Sequence, residues 1–313
     1  MKQLFLAPVT LALAACNPAP VPAVESTPEV VAAPPLAMAA IAVLENQPGA
    51  FADQPPRFVV RMVFQNATGT WRSTNPNCAD EACLASSAAT WPPAASWTVV
   101  NAGAVVGRVD GTTPKAWTRY ADVGTQDVAS TADVPKVGLP TKGWNDADID
   151  LQRPLVAVSI PKASDPDAWQ ETELTPAALI ALQTAFTAQF ATVQNCANDG
   201  GTDPKPMSYK SADIAVAFSH ASTSGWAVAT ALLTDYRCDG PAEGTAFAPQ
   251  TFAISPDGKA QYLGEGLKLL DSGDYDGNGK SEVLFAIQRG NTEGYELHFD
   301  NFAGHETFAY NHH

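Results

Sequence analysis

The feature that most constrains this chain's fold is a succession of short apolar runs, each cut off by Pro, Gly, Asp or Asn. Residues 58–64 (FVVRMVF), 96–106, 155–160 (LVAVSI), 214–218, 226–233, 283–287 (VLFAI), 295–299 and 307–310 are of this kind. β-branched and aromatic side chains suit a pleated, half-buried backbone, and the flanking turn residues stop each run. Pro256-Asp257-Gly258-Lys259 sits as a hairpin turn between Phe252-Ala253-Ile254 and Gln261-Tyr262-Leu263. Short gaps between the runs near the C-terminus favour antiparallel meanders over βαβ units. No strand pattern repeats at a fixed period.

One segment breaks the rule. Thr175 is an N-cap with Pro176 at the first helical position, and Leu179, Leu182, Phe186, Phe190 and Val193 follow at spacings of three and four. This predicts a single amphipathic helix over about 175–194 whose apolar stripe packs on a sheet. The fold class is therefore mainly β, of the α+β kind, with antiparallel sheets and one helix.

The N-terminus reads differently. Lys2 precedes an apolar stretch over 4–13 that is too short to span a bilayer, and the small residues Ala14 and Ala15 lead into Cys16. That is the layout of a secretory signal, to be set aside from the fold. Leu13-Ala14-Ala15-Cys16 resembles the lipobox of bacterial lipoproteins. The resemblance implies cleavage after residue 15, diacylglycerol on the Cys16 thiol and acylation of the new N-terminus. Asn17, in place of the aspartate that commonly signals inner-membrane retention in this class, points to the outer membrane. Residues 16–50 then read as a tether, with Pro18, Pro20, Pro22, Pro28, Pro34, Pro35 and Pro48 separated by little but Ala and Val. Within it, 36–44 has the composition of a short helix. The globular domain is expected over 51–313.

Five cysteines make an odd count, and lipidation of Cys16 leaves four. In an oxidising compartment these pair in one of three connectivities, of which Cys78–Cys83 with Cys196–Cys238 is favoured. A formal net charge of −15 argues against nucleic acid and anionic membrane surfaces as partners of the domain, and favours divalent cations. The lipid bilayer is met only through Cys16. An envelope protein or polysaccharide is the class of partner that such a position offers.

The motif that carries chemistry is Asp274-Tyr275-Asp276-Gly277-Asn278-Gly279-Lys280-Ser281-Glu282. Ca²⁺ is a hard cation that takes six to eight oxygens. Alternate positions Asp274, Asp276 and Asn278 point oxygens at one centre, the Lys280 carbonyl adds another, and Glu282 closes the loop. Gly277 and Gly279 let the backbone wrap. The start matches an EF-hand, but Phe285 stands where the closing glutamate would be, and a strand-like run follows where a helix is required. The loop resembles instead the Ca²⁺ loop of FG-GAP/VCBS-type repeats, which bridges two strands. That resemblance implies Ca²⁺ binding without catalysis. The loop itself is read as exposed. Only one copy is present, and Asp146-Ala147-Asp148-Ile149-Asp150 is not a second, since it has no glycine.

No G-x-S-x-G, P-loop or G-x-G-x-x-G occurs, and His305-Glu306 lacks the second histidine of H-E-x-x-H. No catalytic residue is assigned. His298, Asp300 and His305 form a weaker candidate set for a transition metal. Two functional readings follow: an envelope-anchored structural or binding domain stiffened by Ca²⁺, and a cell-envelope hydrolase with a dispersed site and a structural Ca²⁺ loop. A pocket that gathers Ser, His and Asp/Glu within hydrogen-bond reach would favour the second.

Overall fold

In the computed structural model, residues 39–47, 57–74, 96–112, 124–129, 153–196, 204–234 and 248–311 are described. They all belong to one compact unit, Leu36–His313. Cys16 and the lipobox, the tether up to residue 38, and Cys78, Cys83 and Cys238 lie outside the described residues, and with them both expected disulfides, Cys78–Cys83 and Cys196–Cys238.

The strands are β1 (Ala39–Gln47), β2 (Arg57–Ala67), β3 (Thr70–Ser73), β4 (Ser96–Asn101), β5 (Ala104–Asp110), β6 (Thr125–Asp127), β7 (Leu155–Val158) and β8 (Gln170–Glu171), followed by helix α1 (Pro176–Gln189). After the helix come β9 (Val193–Cys196), β10 (Pro204–Met207), β11 (Ile214–Ala221), β12 (Ala227–Leu233), β13 (Gln250–Ile254), β14 (Ala260–Glu265), β15 (Leu267–Gly273), β16 (Glu282–Arg289), β17 (Thr292–Phe299) and β18 (Gly304–Asn311). They build a seven-stranded sheet in the order β3-β2-β1-β7-β4-β5, with β6 on β2. A five-stranded sheet runs β14-β13-β12-β11-β8, a four-stranded meander runs β15-β16-β17-β18, and β9 and β10 form a two-stranded ribbon. Among the described residues the fold is mainly β with one α-helix, as the sequence leads one to expect.

The four-stranded meander is the middle layer. Leu284, Ala286 and Leu297 pack with Ile41, Val43, Phe64 and Val156 of the seven-stranded sheet. Val283, Phe285 and Ile287 pack the other way, with Val228 and Ala253 of the five-stranded sheet and with Trp169. This explains why 283–287 is an unbroken apolar run rather than an alternating one, since both faces of β16 are buried.

Helix α1 covers the far face of the five-stranded sheet. Thr175 caps it by accepting the Ala178 N–H at 3.2 Å, with Pro176 in the first turn. Leu182 and Phe186 are its buried residues, packed with Ala229, Phe252 and Ile254. Two details differ from the sequence reading. The helix ends at Gln189, so Val193, buried in the same cluster, belongs to β9. Leu179 is only half-buried.

Two corrections are larger. Residues 39–47, which composition assigns to the tether and partly to a helix, form β1, an interior strand of the seven-stranded sheet, with Ala39 to Glu45 buried. The run 96–106 is not one strand but the hairpin β4-β5, turning at Ala102 and Gly103, both in the left-handed region with φ of 48° and 71°.

A candidate calcium centre between two strands

The acidic loop joins β15 to β16, whose closing register pair is Gly273 with Glu282. A strand does follow the loop, as the sequence indicates. Strand geometry presents Glu282 at the mouth of the loop, and two glycines let the chain fold back over it. Gly277 and Gly279 have φ of 79° and 84°. A Cβ on either would meet nothing within 4 Å, so it is backbone conformation and not space that calls for glycine here.

The side chains of Asp274, Asp276 and Glu282 converge, each offering a carboxylate oxygen within 4.8 Å of the others. Oxygens around one Ca²⁺ ion lie at most about 5 Å apart, twice the usual bond length. The donor set is all carboxylate, which suits a hard cation. Asp274 also braces the loop, accepting the Gly277 N–H at 2.8 Å and the Gly279 N–H at 3.0 Å. Asp276 accepts from the Asn278 backbone at 3.0 Å, and Glu282 from the Tyr275 N–H at 2.8 Å. Asn278 and Lys280 stand at the exposed apex: the Asn278 Oδ1 accepts the Lys280 N–H at 2.8 Å, and the Lys280 ammonium pairs with Asp300 at 3.1 Å, not with the three acids.

Only the apex is exposed, contrary to the expectation of an exposed loop. Asp274 and Glu282 are buried, and Tyr275 is buried in the core, its hydroxyl donating to Asp271 at 3.2 Å. The electrostatic cost is visible. Burial pushes the Glu282 carboxyl up from 4.5 to about 8; the Tyr275 N–H opposes this, and the charges of Asp276 and Asp274 add to it. Asp276 is raised too, by burial first and by Asp274 as well.

The loop is stitched to distant parts of the chain by residues that sequence reasoning missed. Asn66 of β2 donates to Asp276 Oδ2 at 2.7 Å. The Asp274 N–H donates to the Ser164 carbonyl at 2.7 Å. Ser281 donates to Asp165 at 2.6 Å and accepts the Asp167 N–H at 3.2 Å, while Ser272 donates to the other oxygen of Asp165 at 3.0 Å. These partners lie 107 to 210 residues from the loop, and nothing in their local sequence marks them.

The histidine set behaves otherwise. His298 and His305 are register partners with stacked rings, centroids 5.6 Å apart, and Asp300 is engaged by Lys280. The buried His298 shares a 2.8 Å hydrogen bond with Glu296 through Nε2, while its Nδ1 is buried without a partner. The adjoining cavity, lined by Ser224 and Ser281 among others, measures about 10 Å³, room for about one water. Among the described residues no serine is hydrogen-bonded to His298. Comparison with protein-family models, curated proteins and solved structures finds no match.

Proposed function

We propose that this chain is an exported lipoprotein, anchored to a bacterial membrane through Cys16, whose folded part is a Ca²⁺-stabilised structural or binding domain without catalytic activity. The observation that carries the metal reading is the convergence of Asp274, Asp276 and Glu282 on one point at the head of a strand pair. These three would hold the ion, and Asn278 and the Lys280 carbonyl would complete its oxygen shell. The resemblance of the loop to FG-GAP/VCBS-type repeats supports the same reading.

The loop's stitching supports a role for the ion beyond the turn itself. Asn66 belongs to the seven-stranded sheet, Ser164 to Asp167 lie on the connection that leaves it, and Glu282 begins the central strand of the core. Neutralising the acids would therefore tighten a junction between layers as well as a turn. At a Ca²⁺ concentration 100 times the dissociation constant, linkage adds about 2.7 kcal/mol to stability. The anchored position favours an envelope protein or polysaccharide as partner, with the outer membrane as the site.

Calorimetric titration with Ca²⁺ is expected to show one site, with a dissociation constant of roughly 10⁻⁴–10⁻³ M as in other extracellular modules. Asp276→Ala should abolish the heat. A wild-type chain that shows none at millimolar Ca²⁺ refutes the metal reading.

A further inference from the structure

The small cavity beside His298 brings together two polar groups that the rest of the fold leaves unanswered. Its volume is about 10 Å³, and its polar lining is Trp169, His298, Asp167, Ser224, Ser281 and Asn301. Trp169 is 8% exposed and His298 4%. The Trp169 Nε1 and the His298 Nδ1 are both buried without a hydrogen-bond partner. A buried polar atom left in that state costs stability, and two of them on one cavity call for a shared partner.

Packing holds both rings where they are. The Trp169 backbone N–H donates to Asp165 at 2.9 Å, and its ring meets Phe302 edge-on, with centroids 6.0 Å apart. His298 stands edge-on to Phe285 at 5.4 Å and tilted against Phe302 at 5.5 Å. Phe302, touching both, closes a run in which Asp300, Asn301 and Phe302 all lie in the left-handed region, with φ of 50°, 55° and 64°. Such a backbone persists only where the surrounding packing fixes it.

The two atoms have complementary roles. An indole N–H can only donate. His298 shares its Nε2 with Glu296 at 2.8 Å; a carboxylate oxygen accepts, so Nε2 carries the ring proton and Nδ1 presents a lone pair. A water molecule joins such a pair by accepting from the first and donating to the second. It needs about 10–15 Å³ and two to four polar partners, which this cavity offers, with no room for a larger ligand. We propose that the cavity is a built site for one structural water, which accepts the Trp169 indole N–H and donates to His298 Nδ1, and so pins His298 as the Nε2-protonated tautomer. The water ties the residue just ahead of β8 to β17, an outer sheet to the middle layer. With both ring nitrogens engaged, His298 is neither a transition-metal ligand beside Asp300 and His305 nor a general base, since no substrate fits next to the water. The site does not rest on the Ca²⁺ reading of the acidic loop.

The test is nuclear magnetic resonance on the full chain carrying Cys16→Ser, which removes the acylation site, isotope-labelled and at neutral pH. Contacts to Phe302 assign the Trp169 indole proton and the His298 ring in the otherwise native chain, so the test does not depend on whether a variant at the site folds. Long-range proton–nitrogen correlation is expected to show a protonated Nε2 and a bare Nδ1 on His298. Cross-relaxation compared in the laboratory and rotating frames is expected to show a bound water beside the Trp169 indole proton, distinct from hydrogen exchange. Added Zn²⁺ should leave the His298 signals unmoved. A ring protonated at Nδ1, alone or as the imidazolium, overturns the proposal. So does an indole proton with no bound water beside it, or a Zn²⁺-dependent change at His298.

Discussion

The buried carboxyl of Glu282 should make metal-free stability fall as pH rises, and Ca²⁺ should erase that fall. Its folded value of about 8 lies above the ordinary 4.5. Between those two values the folded chain keeps a proton that the unfolded chain has released, so stability is lost at about 1.4 kcal/mol per pH unit and levels off above the folded value. Glu282 is 2% exposed, so solvent does little to screen the effect. Asp271, raised by burial to about 6, adds a loss of the same sign but is ionised above that point. From roughly pH 6.5 to 8 the Glu282 share is therefore about 2 kcal/mol, or some 4–8 °C of melting temperature for a domain of this size. A Ca²⁺ ion favours the ionised carboxylate, so saturating Ca²⁺ should flatten the profile, and affinity should rise with pH across the same window. Glu282→Gln, which cannot ionise, should flatten the metal-free profile and also lose the Ca²⁺ response. Thermal melts of both chains in chelator and in millimolar Ca²⁺ decide the matter. A metal-free profile that is level or rising over this window, or a Glu282→Gln chain that still falls, refutes the reasoning.

Three further outcomes are expected. Glu45→Gln should cost about 3–5 kcal/mol in denaturant unfolding; Arg61, 1% exposed, donates to Glu45 through Nε at 2.7 Å and Nη2 at 2.9 Å, and would be left without its counter-charge. A loss below about 1 kcal/mol would show the pair to be dispensable. Gly277→Ala should cost only about 1 kcal/mol, because the penalty is positive φ without a clash, yet it should weaken Ca²⁺ binding in calorimetry. Cys16→Ser should abolish acyl labelling and release the chain from membranes, and continued labelling of the variant would exclude Cys16 as the anchor.

What was legible in the sequence was local. The loop 274–282 is contiguous, so its spacing alone assembles three carboxylates, and the strand after it is an apolar run whose two buried faces leave little room for another reading. The β1 strand was hidden because Ala39-Ala40-Ile41-Ala42-Val43-Leu44 is rich in the best helix former, and only burial among neighbouring strands overrides that preference. The β4-β5 hairpin was hidden because Ala102 occupies a left-handed turn position where Asn or Gly would have announced it. The buried Glu45 network was beyond reach for a different reason. Its carboxylate is shared by Arg61, 16 residues on, and by the Tyr295 hydroxyl, 250 residues on, at 2.8 Å. Arg61 also lies under the ring of Tyr310, 4.5 Å from its centroid, so the network exists only once the sheets have met.

The order of the layers has a consequence for the order of events as the chain is made. The meander of residues 267–311 is the middle layer, yet it follows both of its flanking sheets in the sequence. While those flanking strands emerge, the surfaces that will receive β16 and β17 have nothing to close on, and local pairing alone cannot complete either core. The acidic loop 274–282 sits at the seam where this late layer joins the earlier ones. In chain order the filling therefore comes after the walls, and neither core is complete without it.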